Sequence, residues 1–123
     1  MSTLKQSEIL KAALVLFGPN GQNWTQGEMA RDDNGVGTFD KRKATCFCSL
    51  GAVSMVSTRK LVPSGSSDSS FSLAMDTLNE TLKGKGPMWL WQDQFERKFH
   101  EVKAKFLEAI KAAEKNEASS EHN

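Results

Sequence analysis

Residues 95–113, FERKFHEVKAKFLEAIKAA, bring an apolar side chain to the same side of the chain every three or four positions. This period matches one face of an α-helix and predicts a long helix with a buried stripe. The stripe consists of Phe95, Phe99, Val102, Phe106, Ile110 and Ala113. Upstream, Asp93 and Glu96 have the spacing of a capping box, so we expect the helix to begin near Asp93.

The same period predicts three earlier helices. The first ends at Gly18, which is followed by a proline that cannot continue a helix. The second spans residues 41–61 with Asp40 as its cap, and the third runs from about residue 70 to Gly84. Gly51 inside the second helix costs about 1 kcal/mol relative to alanine, so we expect another backbone to approach closely there.

An Asn34-Gly35 pair lies between short segments that separate the first two helices, and it predicts a tight β-hairpin turn. The expected fold is therefore mainly α, a compact four-helix single domain with a small β-hairpin between helices 1 and 2. The domain is predicted to cover residues 1–115, with a disordered polar tail at 116–123. Residues 62–70, VPSGSSDSS, predict a linker within the domain.

Composition excludes several classes of function. The 123 residues carry a net charge of +1, so bulk nucleic-acid binding is not expected. No apolar run approaches the roughly 18 residues that span a membrane, and the N-terminus has no secretion-signal pattern, which favours a cytoplasmic protein. Two cysteines in a C-x-C pattern and two histidines predict neither a disulfide framework nor a metal site, and no cofactor is implied.

Three short motifs follow one another in a fixed order. The first contains Trp24, Gln26, Gly27, Ala30, Arg31, Asp32 and Gly35; the second contains Phe47, Cys48, Gly51 and Ala52; the third is Gln92-Asp93 before the last helix. This arrangement resembles a small family of unknown function found in phages and bacteria, in which we expect tryptophan in place of Phe47 and asparagine in place of Gln92. The resemblance implies a phage-type accessory protein in the host cytoplasm, and it implies no particular activity.

The three tryptophans are all predicted to lie outside the helices and to gather at one end of the bundle. Trp89 and Trp91 alternate with other apolar residues, as in an extended segment with both rings on one face. Arg31 would hold an anionic group, and the indole rings would stack on a flat one. The predicted ligand site comprises Trp24, Gln26, Gly27, Arg31, Asp32, Trp89, Trp91 and Asp93.

These residues also allow structural interpretations. Arg31 and Asp32 can form a structural pair that anchors the hairpin, which is the more common role of such pairs. Trp24 fits the edge of the core as well as it fits a ligand. Lys41, Arg42 and Lys43 are more often a solvated helix start than an anion site.

The sequence therefore favours a non-enzymatic binder of a small anionic, nucleotide-like signal or of a host defence protein. The alternative is a small hydrolase that uses Cys48 as nucleophile, with His100 as the candidate base, or a carboxylate pair of Asp32 and Asp93. A homo-oligomer that covers exposed tryptophans is equally compatible with the pattern.

Overall fold

The computed structural model describes residues 4–61 and 68–121, and it is mainly helical. Its elements follow one another as α1 (Gln6–Phe17), β1 (Ala30–Arg31), β2 (Cys46–Phe47), α2 (Ser49–Thr58), α3 (Ser69–Thr81), α4 (Met88–Gln92) and α5 (Phe99–Glu121). The predicted helical class is confirmed, although the described residues form five helices and not four. Residues 62–67 of the predicted linker lie outside the described residues.

Aromatic side chains join the first and last helices in the core. Phe17 of α1 contacts Phe99 and Phe106 of α5 edge to face, with ring centroids 5.7 and 5.4 Å apart. Four members of the predicted α5 stripe are buried, namely Val102, Phe106, Ile110 and Ala113. Phe95 is 93% exposed because it precedes the helix. The chain leaves α1 at Gly18, as predicted, with a φ of 83° that glycine tolerates.

Strands β1 and β2 pair antiparallel beside the helices. The tight turn predicted at Asn34-Gly35 is present, and beyond it the chain pairs antiparallel with β1 at one isolated bridge, Arg31 to Gly37, whereas the strand that pairs with β1 is the later β2. Two backbone hydrogen bonds close this turn, from the Asp32 N–H to the Val36 carbonyl and from the Gly35 N–H to the Asp32 carbonyl, both at 2.9 Å, and the Asp32 side chain adds two more. The carboxylate Oδ1 of Asp32 accepts hydrogen bonds from the backbone N–H groups of Asn34 and Val36, at 2.9 and 3.0 Å.

Helix α2 begins at Ser49, eight residues later than the predicted start at residue 41. Asp40 does accept a hydrogen bond from the backbone N–H of Arg42 at 2.9 Å, but the chain there forms only a turn. The segment between this turn and α2 is extended because it pairs as β2. Cys48 takes the capping position, and its sulfur accepts a hydrogen bond from the Gly51 backbone N–H at 3.4 Å.

Gly51 lies directly against the backbone of the connection between α1 and β1. A Cβ atom placed on Gly51 would lie 2.0 Å from the carbonyl oxygen of Met29. The same carbonyl accepts a hydrogen bond from the backbone N–H of Cys48 at 3.0 Å. The predicted close approach of another backbone is therefore confirmed, and it places Met29 directly against the first turn of α2.

The tryptophan-rich segment is a short helix, α4, and not the extended segment that we predicted. In a helix, residues two apart lie about 200° apart around the axis, so alternate side chains do not share a face. Trp91 is accordingly 7% exposed, whereas Trp89 is 47% exposed. The alternation in the sequence was compatible with both structures because the segment is too short for its period to discriminate.

The last helix begins at Phe99, so the capping box predicted at Asp93 and Glu96 is also wrong. Asp93 ends α4, and Glu96 has a φ of 75°, which no helix accepts. At its other end α5 continues to Glu121, beyond the predicted domain end at residue 115. Glu117 holds this part of α5 to α1, since its carboxylate accepts from the backbone N–H and the hydroxyl of Ser7 at 3.0 and 2.6 Å.

Candidate functional site

A buried side-chain amide connects the loop after α1 to α4. Gln92 is completely buried, and its Oε1 accepts a hydrogen bond from the indole N–H of Trp24 at 3.1 Å. The same oxygen accepts from the backbone N–H and the hydroxyl of Ser49, at 3.1 and 3.3 Å. Three donors from two other segments therefore converge on one oxygen, which satisfies polar groups that burial would otherwise leave unpaired.

Gln26 and Gly27, further along the same loop, also bond to α4 and the residues that follow it. Gln26 donates from Nε2 to the backbone carbonyls of Gln92 and Gln94, at 2.5 and 3.2 Å. The backbone N–H of Gly27 donates to Oδ1 of Asp93 at 3.0 Å, and Nε2 of Gln92 donates to the same oxygen. The Asp93 carboxylate is thus held from two sides although the residue is exposed.

The guanidinium of Arg31 donates hydrogen bonds to residues of its own loop. Nε donates to the hydroxyl of Thr25 at 2.9 Å, and the two terminal nitrogens donate to the carbonyls of Gly35 and Gln26 at 3.0 and 2.9 Å. Asp32 caps the following turn. Both residues therefore bond within this connection, and in the described part of the chain neither forms a hydrogen bond or an ion pair with Asp93.

The three indole rings have three different surroundings. Trp24 packs on Phe99 with ring centroids 6.0 Å apart, while its N–H reaches Gln92. The guanidinium of Arg97 lies 3.7 Å from the centroid of the Trp91 ring, so the cation that meets a tryptophan is not Arg31. Trp89 is half exposed and lines an open cleft, whose described lining includes neither Trp24 nor Trp91.

This cleft, the α4 cleft, has a volume of about 460 Å³. Its walls include Glu28, Phe39, Cys48, Trp89, Gln92 and Asp93. Phe39 and Trp89 are 49% and 47% exposed, so two aromatic rings border the opening. The charged residues in the lining are two carboxylates, and no described lining residue is a cation.

Cys48 forms part of the cleft wall, but its thiol is not activated there. Burial raises the pKa of its thiol to about 11, with smaller opposing contributions from backbone N–H groups. The thiol is therefore protonated at neutral pH, which is unfavourable for a nucleophile. His100, the candidate base in the sequence, is exposed on α5 and does not line the cleft.

A second cleft, the basic cleft, adjoins the first and has a volume of about 390 Å³. Phe39 lines both clefts. The charged residues of the basic cleft are Asp40, Lys41, Arg42, Arg59 and Lys60, four cations and one carboxylate. Lys41 donates to the carbonyl of Arg59 at the end of α2, at 3.1 Å. The hydrogen bonds from Arg42 to the half-buried Asp40 lower the pKa of that carboxyl group.

Of the predicted site residues, Gly27, Trp89 and Asp93 line the α4 cleft, and so does the alternative nucleophile Cys48. Trp24 and Gln26 lie in the hydrogen-bond network behind it, while Arg31, Asp32 and Trp91 do not line it.

Sequence reasoning missed Glu28, Phe39 and Gln92 as site residues. Gln92 carried a signal, because it precedes Asp93 in the third motif. Among residues 4–61 and 68–121, no group of three metal-ligating side chains gathers.

Fold and site together define a small, mainly helical protein with two adjoining clefts of opposite charge. The chain belongs to the family of unknown function DUF6197, whose model matches residues 1–112. Comparison with curated proteins finds no match, and comparison with solved structures finds none. Within the described part of the chain, no helix has both the length and the apolar character needed to cross a membrane.

Proposed function

We propose that this protein binds a small anionic, nucleotide-like ligand and does not transform it. The observation that carries the proposal is that Phe39 is the common wall of two clefts, one aromatic and acidic, the other basic. A ligand with a flat polar ring and an anionic group can occupy both sides of one phenylalanine. The combined dimensions agree with ligand sites in general, which measure roughly 300–1,000 Å³.

The ring of such a ligand fits the α4 cleft. Trp89 and Phe39 each expose about half of their surface there, so either ring can stack on a base without any rearrangement of the core. Stacking of a nucleobase on an aromatic side chain contributes about 1–3 kcal/mol. The carboxylates of Glu28 and Asp93 supply acceptors for the N–H groups at the edge of a base.

The anionic group fits the basic cleft. Arg42, Arg59 and Lys60 are exposed there, and guanidinium groups bind phosphate through paired hydrogen bonds. This assignment moves the anion contact away from Arg31, whose three nitrogens already donate within its own loop. The proposal thus keeps the class of ligand expected from the sequence and changes the residues that contact its charge.

The catalytic alternatives are less well supported by the contacts. The pKa of Cys48 is raised to about 11, and no histidine lines the cleft in the described residues. Asp32 caps its own turn and does not line the cleft with Asp93, so the two carboxylates do not form a catalytic pair there. A binding role needs none of these groups to react.

The proposal also includes a biological role for the protein. The motif resemblance suggests a phage-encoded accessory protein that sequesters a nucleotide-like signal of the host.

A host defence protein is the second candidate partner. It is favoured by Leu90 on the outer face of α4, which is 51% exposed beside Trp89, as in a surface that docks another chain. Leu90→Arg would then abolish co-elution with that partner while nucleotide binding persists.

Calorimetric titration of the full chain with nucleoside monophosphates tests the ligand proposal. We expect at least one to bind, and Phe39→Ala to weaken it about tenfold or more, because both halves of the ligand contact Phe39. Phe95→Ala is the matched control, since this phenylalanine is 93% exposed and lines neither cleft. Arg42→Gln should weaken phosphate-bearing ligands and leave the free nucleosides unaffected. The proposal fails if no nucleotide binds or if both phenylalanine variants behave alike.

A further inference from the structure

We infer that the α4 cleft selects bases that present two neighbouring N–H donors, as guanine does, over bases such as adenine. The inference rests on the proposed function and adds the identity of the base. It is carried by the two carboxylates in the cleft, by the way the structure fixes one of them, and by the absence of any cation among the described residues that line the cleft.

The Asp93 carboxylate is preoriented. One of its oxygens, Oδ1, accepts from the backbone N–H of Gly27 at 3.0 Å and from the side-chain amide of Gln92. Gln92 cannot move freely, because it is completely buried and accepts from Trp24 and Ser49. Within the described residues Oδ2 accepts no hydrogen bond, so it is the oxygen that remains for a ligand.

Glu28 provides the second carboxylate of the cleft. Its carboxylate lies against Gly37, where an added Cβ atom would be 2.6 Å from one of its oxygens. The absent side chain at position 37 therefore leaves room for the acid beside the cleft. Glu28 and Asp93 are both exposed, so a ligand in the cleft can reach their carboxylate oxygens.

Base edges differ in how they meet such acceptors. Guanine presents the N1–H and the 2-amino group side by side, so that the free Oδ2 of Asp93 and a carboxylate oxygen of Glu28 can accept the two bonds together. Adenine presents one amino group beside the N1 lone pair, which a carboxylate repels. A bidentate match of this kind discriminates against the wrong base by about 1–3 kcal/mol, and 1.4 kcal/mol corresponds to a factor of ten.

The test is calorimetric titration of the full chain with GMP, IMP and AMP at one fixed salt concentration. IMP retains the N1–H and lacks the 2-amino group. We expect GMP to bind about tenfold more tightly than AMP, with IMP between them. Asp93→Asn should remove most of the difference while its amide oxygen still accepts from Gly27, and Glu28→Gln should reduce it without touching the buried network. Asp76→Asn on α3 makes the same charge change outside the cleft and should retain the wild-type preference.

Each outcome decides the matter. Equal affinities for GMP and AMP, or a preference that survives both Asp93→Asn and Glu28→Gln, would overturn the inference and leave the proposed function intact. If none of the three nucleotides bound, the proposed function would fail and the inference with it. A tighter Kd for tetramethylammonium than for any nucleotide would assign the aromatic and acidic cleft to a cation, and would overturn both.

Discussion

The inward and outward faces of α4 lie in different environments. On the inward face, Trp91 and Gln92 are 7% and 0% exposed, and the Gln92 side chain bonds to Trp24, Ser49 and Asp93. On the outward face, Trp89 is 47% exposed and borders the α4 cleft. Five residues of one helix thus join the loop to the core and also present an open surface. The difference teaches that a tryptophan-rich motif must be divided by face before a function is assigned to it.

Truncating one tryptophan on each face gives the largest expected contrast. Trp91→Ala removes a buried ring that stacks with Arg97 and should lower the free energy of unfolding by about 3–5 kcal/mol. Trp89→Ala should lower it by about 1 kcal/mol or less, because half of that ring is already in water. Urea denaturation measures both, and equal losses would contradict the division between the faces.

Replacing the central amide should cost nearly as much as replacing Trp91. Gln92→Ala leaves the indole N–H of Trp24 and the donors of Ser49 without their acceptor, at about 1–3 kcal/mol for each buried unpaired group. We expect a total loss of about 3 kcal/mol in the free energy of unfolding. Gln94→Ala, at an exposed position two residues away, is the control and should change stability by about 0.5 kcal/mol or less.

The close approach at Gly51 predicts that Gly51→Ala lowers the free energy of unfolding, whereas helix propensity alone predicts that it raises it. Alanine is the better helix former by about 1 kcal/mol, so Gly51→Ala would stabilise an isolated α2. In the protein the new methyl group would lie 2.0 Å from the carbonyl oxygen of Met29. We expect a net destabilisation of about 2 kcal/mol from this overpacking, measured as a shift in the denaturation midpoint. A stabilised variant would show that the loop does not seat on α2.

Cys48, at the boundary between core and cleft, should reveal its burial through pH. Its folded-state pKa is about 11 and its ordinary value is 9.0. Because the folded value is raised, the thiol's contribution is fully present below pH 9 and is lost as pH rises towards 11. The free energy of unfolding should fall over this interval by roughly 1–2 kcal/mol more than in Cys48→Ala.

Alkylation provides a second measurement of the same property. At pH 8 the half-buried Cys46 should react with iodoacetamide well before Cys48, which is 5% exposed. Parallel pH curves for wild type and Cys48→Ala, or rapid labelling of Cys48, would contradict the burial and would revive the nucleophile alternative.

Sequence reasoning was most successful where long periodic patterns determine structure. The helices near residues 6–17, 69–81 and 99–121 follow from apolar periods of several turns, and the close contact at Gly51 follows from the unfavourable propensity of glycine. The short elements were not predictable in this way. Strand β2 has two residues and α4 has five, so neither is long enough for its period to show.

The candidate site was predictable only in part, because its geometry depends on tertiary contacts. Gly27, Trp89 and Asp93 line the cleft as a group, yet nothing local indicated that Arg31 would bond to its own loop. Phe39 belongs to none of the three sequence motifs. It is a candidate site residue only because the fold places a cleft on each side of it. Exposure of a single aromatic residue is a property of the folded chain.

A ¹H–¹⁵N correlation titration with GMP tests the central claim most directly, since the three indole N–H groups report on three environments at once. We expect the Trp89 indole signal and the backbone signals of Phe39 and Arg42 to shift in proportion to bound ligand. The Trp24 indole signal, held by Gln92, and that of the buried Trp91 should move little. Saturable shifts confined to Trp24, Trp91 or residues far from both clefts, or no shifts at all, would contradict the account.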